Sequence, residues 1–367
     1  MDRLPSDDAA EVRLVEQVLQ AQAEGLCLEI RGGGTKRFYG GEPRGQLLDL
    51  RALAGITSYE PTELVVTARA GEPLERLEAL LAEQGQHLAF EPPRFGPGGT
   101  VGGMVAAGLS GPGRLAAGAL RDHVLGVRML NGRGERLVFG GQVMKNVAGY
   151  DVSRLMAGSL GVLGVLLEVS LKVLPLPQAS ATLAIDCAQA EALQRLAAWT
   201  SQPLPIAATA WQGGQLRVRL DGAAAAVRAA TARLGGRLVA ADAAAAWWAG
   251  VRDHRQACFA LDAAALSRGE RLWRLSLPRG LPPLALRGET CLEWGGALRW
   301  LRSSEPIEQV RQAAARVGGH ATLMRGPGRE AGVFPPLSPA LMQLHRRLKQ
   351  AFDPDGLFNP GRLYKDL

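Results

Sequence analysis

R-G-G-G-T-K at residues 31–36 and P-G-G-T-V-G-G at residues 97–103 are the stretches on which the fold turns. The first follows an alternating run, Leu26 to Arg31, that reads as a strand. Three glycines after a strand bring the backbone close to a ligand and aim several N–H groups at an anion. Thr35 adds a hydroxyl and Lys36 a cation, which completes a pyrophosphate cradle. The spacing is not that of the G-x-G-x-x-G dinucleotide fingerprint, and the residues that follow, RFYGGEPRG, cannot open a helix. No G-x-x-x-x-G-K-[ST] occurs, and the G-x-G-x-x-A at 111–116 has no strand before it. Alone, the first loop reads equally well as a tight turn. The second loop, followed by Ala106, Ala107 and Gly108, offers another close backbone approach of the kind that flat rings and diphosphates need. A third element follows, Gly149-Tyr150-Asp151 and then G-S-L-G-V-L-G-V at 158–165. Three such loops, separated by strands, carry weight that one does not.

Outward from these loops, Ala9 to Glu24 has helical spacing, with Val12, Val15, Val18 and Leu19 on one face and Asp7 or Asp8 as cap. Pro73 to Gln84 reads as a helix stopped by Gly85. Strands fall at 26–31, 47–50, 64–70, 87–90 and 162–173, and 124–130 with 136–139 reads as a hairpin around Asn131-Gly132. Val152 to Met156 reads as a short helix, and residues 92–113 as a long irregular functional loop. Pro175 and Pro177 mark a boundary. Beyond it, helices at 188–200, 223–234 and 306–317 alternate with strands at 183–186, 216–220, 272–277 and 297–301, an α+β pattern. After Pro335-Pro336, a helix over 339–352 leads into a turn-rich tail, 353–364. No internal repeat is visible.

Composition narrows the classes. The chain has 367 residues, long enough for two domains and a full apolar core. Its four cysteines (27, 187, 258, 291) are scattered, whereas iron–sulfur and structural zinc sites need clustered thiolates, so no metal is expected. The net charge is +7, and lysines at 36, 145, 172, 349 and 365 leave 37 arginines among 42 basic residues, dispersed without a run. Nucleic-acid binders cluster such charge among aromatics, so none is expected here. The N-terminus, MDRLPSDDAAEVRL, is too acidic for a signal peptide. The uncharged run Phe95 to Gly113 holds eight glycines and two prolines and makes a poor membrane span. The expectation is a cytoplasmic protein without a transmembrane segment, any membrane contact being peripheral at the inner face of the plasma membrane.

The order R-G-G-G-T-K, P-G-G-T-V-G-G, R-D-H-V-L-G-V with N-G-R-G, G-Y-D-V-S-R-L and G-S-L-G-V-L-G-V-L-L-E-V resembles the FAD domain of the vanillyl-alcohol oxidase and p-cresol methylhydroxylase (PCMH-type) superfamily. The resemblance covers about residues 10–177, and the tail F-D-P-D-G-L-F-N-P-G-R-L-Y (352–364) resembles the end of FAD-linked 2-hydroxy-acid dehydrogenases. The stretches at 143–161, 272–276, 293–301 and 318–323 further resemble the family of FAD-binding E subunits of bacterial glycolate oxidases, also called glycolate dehydrogenases.

The resemblance implies an α+β fold: a PCMH-type FAD-binding domain of two α+β subdomains (1–177), a smaller α+β cap (178–335), and a helix and tail returning to the flavin (336–367). It implies that Arg31, Gly32, Gly33, Gly34, Thr35 and Lys36 hold the pyrophosphate. Pro97, Gly98, Gly99, Thr100, Gly102 and Gly103 would line the flavin, Asp122, Gly161 and Val165 would touch the dinucleotide, and Asn359 would sit near the ring. Neither loop has the His or Cys that carries covalent flavin in some relatives, so FAD is expected to be noncovalent. The implied partners are a second flavin subunit and an iron–sulfur subunit, and the implied substrate is a small 2-hydroxy acid, glycolate, oxidised to glyoxylate.

Oxidising a 2-hydroxy acid needs a base for the hydroxyl proton and a cation for the carboxylate. His87, His123, His254, His320 and His345 show no pairing with carboxylates in the sequence. Glu293, Arg299 and Arg325 are candidate substrate contacts, while Trp294 and Trp300 read as packing of the second domain. Two readings stay open: a chain that is catalytic itself, and an FAD-bearing relay or scaffold whose partner oxidises the substrate. A stand-alone 2-hydroxy-acid or sugar-lactone oxidase is the more distant alternative.

Overall fold

The structure, a computed structural model, describes residues 9–141 and 151–367. Asp7, Asp8, Gly149 and Tyr150 lie outside the described residues. The helix Ala9–Glu24 buries Leu14, Val18 and Ala21, while Leu19 is exposed, so the apolar stripe runs beside the face expected from the valines. Its buried Glu11 takes ion pairs from Arg128 at 3.1 Å and Arg136 at 2.7 Å. Leu28–Arg31 pairs in parallel with Gln46–Asp49. An antiparallel sheet of five strands follows, in the order Ile56–Glu60, Val65–Arg69, Val165–Lys172, Val124–Leu130, Arg136–Gly140.

The segment expected to be one irregular loop contains a helix, Val101–Ala107. Thr100 caps it by accepting the Gly103 N–H at 3.2 Å, and Gly108 ends it at φ +63°. Gly102 lies in its first turn against Ala70, where a Cβ would come within 2.7 Å of the Ala70 Cβ. Helix and strand end can approach this closely only through a glycine, and that contact hid the helix behind what looked like loop composition.

Ala179–Asp186 opens a second antiparallel sheet of eight strands. Its order is Arg237–Val239, Ala179–Asp186, Gln215–Gly222, Ile206–Gln212, Glu289–Glu293, Leu298–Ser303, Arg271–Ser276, His320–Arg325. The first four and the last four strands repeat one topology, mirrored about the central Ile206–Gln212 and Glu289–Glu293 pair, without repeating sequence. Helices Gln189–Trp199, Ala224–Leu234 and Ile307–Arg316 cover one face through Leu196, Val227 and Val310. The helix Ala241–Arg252 was not legible in the sequence, being mostly alanine around Trp247 and Trp248. It packs Trp248 on Ala208 and Ala210.

The rest of that sheet's other face meets the N-terminal module. Tyr39, Ala107, Leu109 and Leu160 pack there with Leu272, Leu298, Trp300 and Met324. Trp294 donates its indole N–H to the Gly111 carbonyl at 3.0 Å, and Arg219 pairs with Glu91 at 2.7 Å. Trp294 and Trp300 therefore stand at the junction of the two layers, not inside the second one.

After the helix Pro339–Phe352 the tail lies along Leu28, whose N–H donates to the Leu357 carbonyl at 2.7 Å. Lys349 fixes this return. Its buried ammonium donates to Asp353 (2.6 Å) and to the carbonyls of Val162 (2.8 Å) and Phe358 (2.9 Å). No helix of the described residues is long and apolar enough to cross a membrane.

Candidate functional site

The strand Leu28–Arg31 runs out into Gly32–Gly34, and this loop meets the second glycine loop face to face. A Cβ on Gly33 would overlap the Gly98 carbonyl oxygen, and one on Gly32 would overlap the Thr100 hydroxyl. Gly34 and Gly98 hold φ of +71° and +78°, which side-chain-bearing residues rarely adopt. No N–H of Gly32 through Lys36 finds an acceptor among the described residues. Five consecutive free donors on a glycine turn make an anion cradle.

These loops open onto a cleft between the strand end, the helix Val101–Ala107 and the tail. Arg31 to Lys36, Thr100, Gly102, Gly103, Gly161 and Asn359 all line it. Gly98 and Gly99 stand behind the first loop, Gly99 against Thr35. Pro97 is not among the lining residues. Lys36 lies 3.5 Å from the Thr35 hydroxyl and 5.8 Å from the Phe95 ring centre, and burial brings its pKa down to about 8.

Asn359 joins three segments at the cleft wall. Its side chain accepts from the Ile30 N–H at 2.8 Å and donates to the Leu160 carbonyl at 2.6 Å, and its N–H donates to Leu28 at 2.9 Å. Its φ of +44° suits asparagine. Arg362, which sequence reading missed, also lines the cleft and donates to the Tyr39 (2.7 Å), Arg37 (3.3 Å) and Gly41 carbonyls. Burial lowers its pKa to about 10.

Two expected dinucleotide contacts lie elsewhere. Val165 is fully buried in the core of its strand, while its neighbours Gly164 and Leu166 face the cleft, a one-residue change of face. Asp122 is exposed and accepts the Ala119 N–H at 2.9 Å, closing its own one-turn helix.

A second cluster lies at the junction of the two layers. Glu293 is buried there, accepting the Trp300 indole N–H at 2.7 Å, and burial pushes its pKa up to about 7 against the opposing pull of that bond and of Arg274. Arg274 stacks on Trp294 at 5.2 Å, as does Arg114 at 4.4 Å. Arg325 lies 4.3 Å from the Phe38 ring centre and 5.2 Å from that of Phe95. His254 stacks on Phe259 at 4.2 Å and meets Trp300 and Phe95 edge-on; burial, Arg325 and Arg274 hold its pKa well below the usual imidazole range. Of the three candidate substrate contacts, Glu293 and Arg325 come together here. Arg299 does not: its guanidinium is spent on the carbonyls of Leu281 (2.6 Å), Pro282 (2.6 Å) and Gly296 (3.2 Å), a structural clamp. Arg274 was passed over because one arginine among 37 carries no signal of its own. Its place two residues after Leu272 on a strand facing the junction was the only available clue. Among the described residues no group of His, Cys, Asp or Glu could hold a metal ion.

Comparison with known proteins agrees with this geometry. Residues 9–140 match the FAD binding domain family, and residues 301–363 match the C-terminal domain family of FAD linked oxidases. The chain is 47% identical over 354 residues to the glycolate oxidase subunit GlcE of Escherichia coli (strain K12), covering 96% of this chain and 97% of that one. It is 31% identical over 156 residues to the glycolate oxidase subunit GlcD of Bacillus subtilis (strain 168), covering 42% of this chain and 33% of that one. Among solved structures, an alkyldihydroxyacetonephosphate synthase superposes with a TM-score of 0.62 at 17% identity, covering 95% of this chain and 75% of that one, a likeness of fold.

Proposed function

The chain belongs to the family of the glycolate oxidase subunit GlcE, and from that premise we propose that it is the FAD-carrying subunit of an enzyme that oxidises glycolate to glyoxylate. FAD is its cofactor, and the oxidoreductase chemistry acts on a hydroxy acid. The observation that supports a specific binding mode is the double glycine cradle, where five free N–H groups lie on a cleft-lining loop packed so closely on Gly98 that any side chain on Gly33 would force the two loops apart. Gly32–Lys36 hold the pyrophosphate, the helix opened by Thr100 borders the flavin through Gly103 and Ala106, and Asn359 braces the wall. Once bound, FAD supplies the acceptor for a carbon-bound hydride. The protein's part is to bind, orient and keep water out. FAD is held noncovalently, because neither loop offers a His or Cys for attachment.

In the same reading the chain works in the cytoplasm beside a second flavin subunit and an iron–sulfur subunit. Its cysteines, one exposed and three buried at separate places in the sequence, do not supply a four-thiolate site, so electrons leave through a partner. The test is to purify the chain alone and with co-expressed partners and to follow the flavin spectrum during glycolate addition. Flavin should be released by acid precipitation, and turnover should require the partners and an artificial or quinone acceptor. Turnover by the isolated, FAD-loaded chain with oxygen as sole acceptor at an ordinary enzymatic rate would instead favour the stand-alone oxidase.

A further inference from the structure

We propose that the junction between the two layers is a carboxylate-binding site of this chain, in which the guanidinium groups of Arg274 and Arg325 hold a small 2-hydroxy acid beside His254. The identity of the ligand rests on the flavin reading above; the anion site itself rests on the side chains. Leu272 and Arg274 project from one face of Arg271–Ser276, and Arg325 stands opposite Leu272, so both guanidiniums share that face.

Among the described residues neither makes an ion pair, though the buried Glu293 carboxyl lies within electrostatic reach of Arg274. Among the described residues, Arg274 donates one bond, to the Ser276 hydroxyl at 3.2 Å, and Arg325 touches only the rings of Phe38 and Phe95. Several other arginines enclosed in the fold are spent. Arg219 pairs with Glu91 and Asp221, Arg252 with Asp253, and Arg311 and Arg362 bond to carbonyls. A guanidinium withdrawn from water without an anion costs several kcal/mol, so a fold keeps one where a ligand supplies the charge. Arg114, on Trp294, adds a third positive group, and Glu293 is turned to the Trp300 indole rather than to an arginine.

The site also fits the second group of a 2-hydroxy acid. Nδ1 of His254 is enclosed and has no partner. A neutral imidazole offers a lone pair or an N–H to a hydroxyl next to the bound carboxylate. Phe95 and Trp300 meet the His254 ring edge-on, and Arg274 lies over Trp294, so the charged groups are set among aromatic rings.

The test is calorimetric titration of oxalate, which cannot be oxidised at carbon by hydride loss, into the FAD-loaded full-length chain. The wild type should bind at one site. Arg274→Gln and Arg325→Gln should each weaken binding about tenfold or more, the effect of losing one charge-assisted fork. The exposed control Arg347→Gln should bind like the wild type, and bound FAD should be unchanged in all. A wild type that takes up no oxalate, or cleft variants that bind it normally, would overturn the proposal. Should a glutamine variant fail to fold, Arg274→Lys and Arg325→Lys keep the charge and lose the fork; weakened binding with FAD retained supports the site, and unchanged binding overturns it. A chain that never takes up FAD breaks the flavin reading, whereas loss of the oxalate site alone breaks only this one.

Discussion

The glycine cleft and the junction cluster are built from different materials. In the first, backbone does the work: free N–H groups, positive φ at Gly34 and Gly98, and loops that touch where a Cβ would not fit. In the second, side chains from Phe38, Phe95, His254, Arg274, Glu293, Trp300 and Arg325 meet across two layers. A backbone site tolerates few substitutions, because its glycines either hold positive φ, as Gly34 and Gly98 do, or touch the facing loop where a Cβ would fall, as Gly32 and Gly33 do. A side-chain site tolerates shape changes and responds to charge and pH.

The sharpest way to break this contrast is Gly33→Val. The added atoms overlap the Gly98 carbonyl and force the two loops apart, so FAD affinity should fall by at least ~100-fold, or about 3 kcal/mol. Flavin absorbance of the purified variant reads this directly, and stoichiometric FAD would refute the cradle. Gly102→Val acts differently. Although Gly102 lines the cleft, its Cβ would point at Ala70, so the cost falls on helix packing and should appear in Tm as about 1–3 kcal/mol of overpacking.

On stability rather than cofactor affinity, the largest loss is expected in the tail. Lys349→Met removes the cation beside Asp353 and leaves that buried carboxylate unpaired, a loss of about 3–5 kcal/mol. Because Asn359 follows the same turn, FAD retention should fall with stability. Wild-type Tm in the variant would show that the tail is held by other contacts.

How much of each region was legible follows from the same contrast. Gly32–Gly34 and Gly98–Gly103 announced themselves because glycines adjacent in sequence are adjacent in the site. Asn359 and the tail were legible only through resemblance, since nothing in F-N-P-G-R says that it will lie along Leu28. Val165 was one residue off, the smallest error that exchanges the two faces of a strand. The helix Val101–Ala107 was hidden because glycines required by Ala70 look like glycines required by a loop. The junction cluster left almost no trace: Arg274, Glu293 and Arg325 sit on three strands, and their place on one face depends on an eight-strand order with no local signature.

Glu293→Gln sharpens the contrast through pH. Burial holds the folded carboxyl at about 7, above its ordinary value of 4.5, with the Trp300 bond and Arg274 opposing and Glu91 assisting. An acid with a raised folded pKa contributes stability below its unfolded pKa and loses that contribution as pH rises through the folded value. The wild type should therefore lose stability between about pH 4.5 and pH 7, by up to about 3 kcal/mol, and the variant should not. Melting curves of both proteins from pH 5 to pH 8 should converge at the acid end, with the variant the more stable above 7. A pH-independent gap would mean that Glu293 is ionised throughout.

The smallest expected effect concerns Asp122, and its smallness is what makes it useful. Resemblance puts this residue beside the dinucleotide; the structure has its carboxylate on the Ala119 N–H at 2.9 Å, exposed and away from the cleft lining. A side chain that only closes a one-turn helix is worth about 1 kcal/mol, the usual size of a lost cap. It is also next to Arg121 at 3.9 Å, a surface pair that adds little. Asp122→Ala should thus lower Tm by a few degrees while FAD affinity stays within about twofold of the wild type. Fluorescence titration of the apo-protein with FAD separates the two outcomes. A tenfold loss of affinity at unchanged Tm would mean that Asp122 reaches the cofactor after all. The backbone cleft would then depend on at least one charged side chain, which would remove the distinction between the two sites at the point where it is easiest to test.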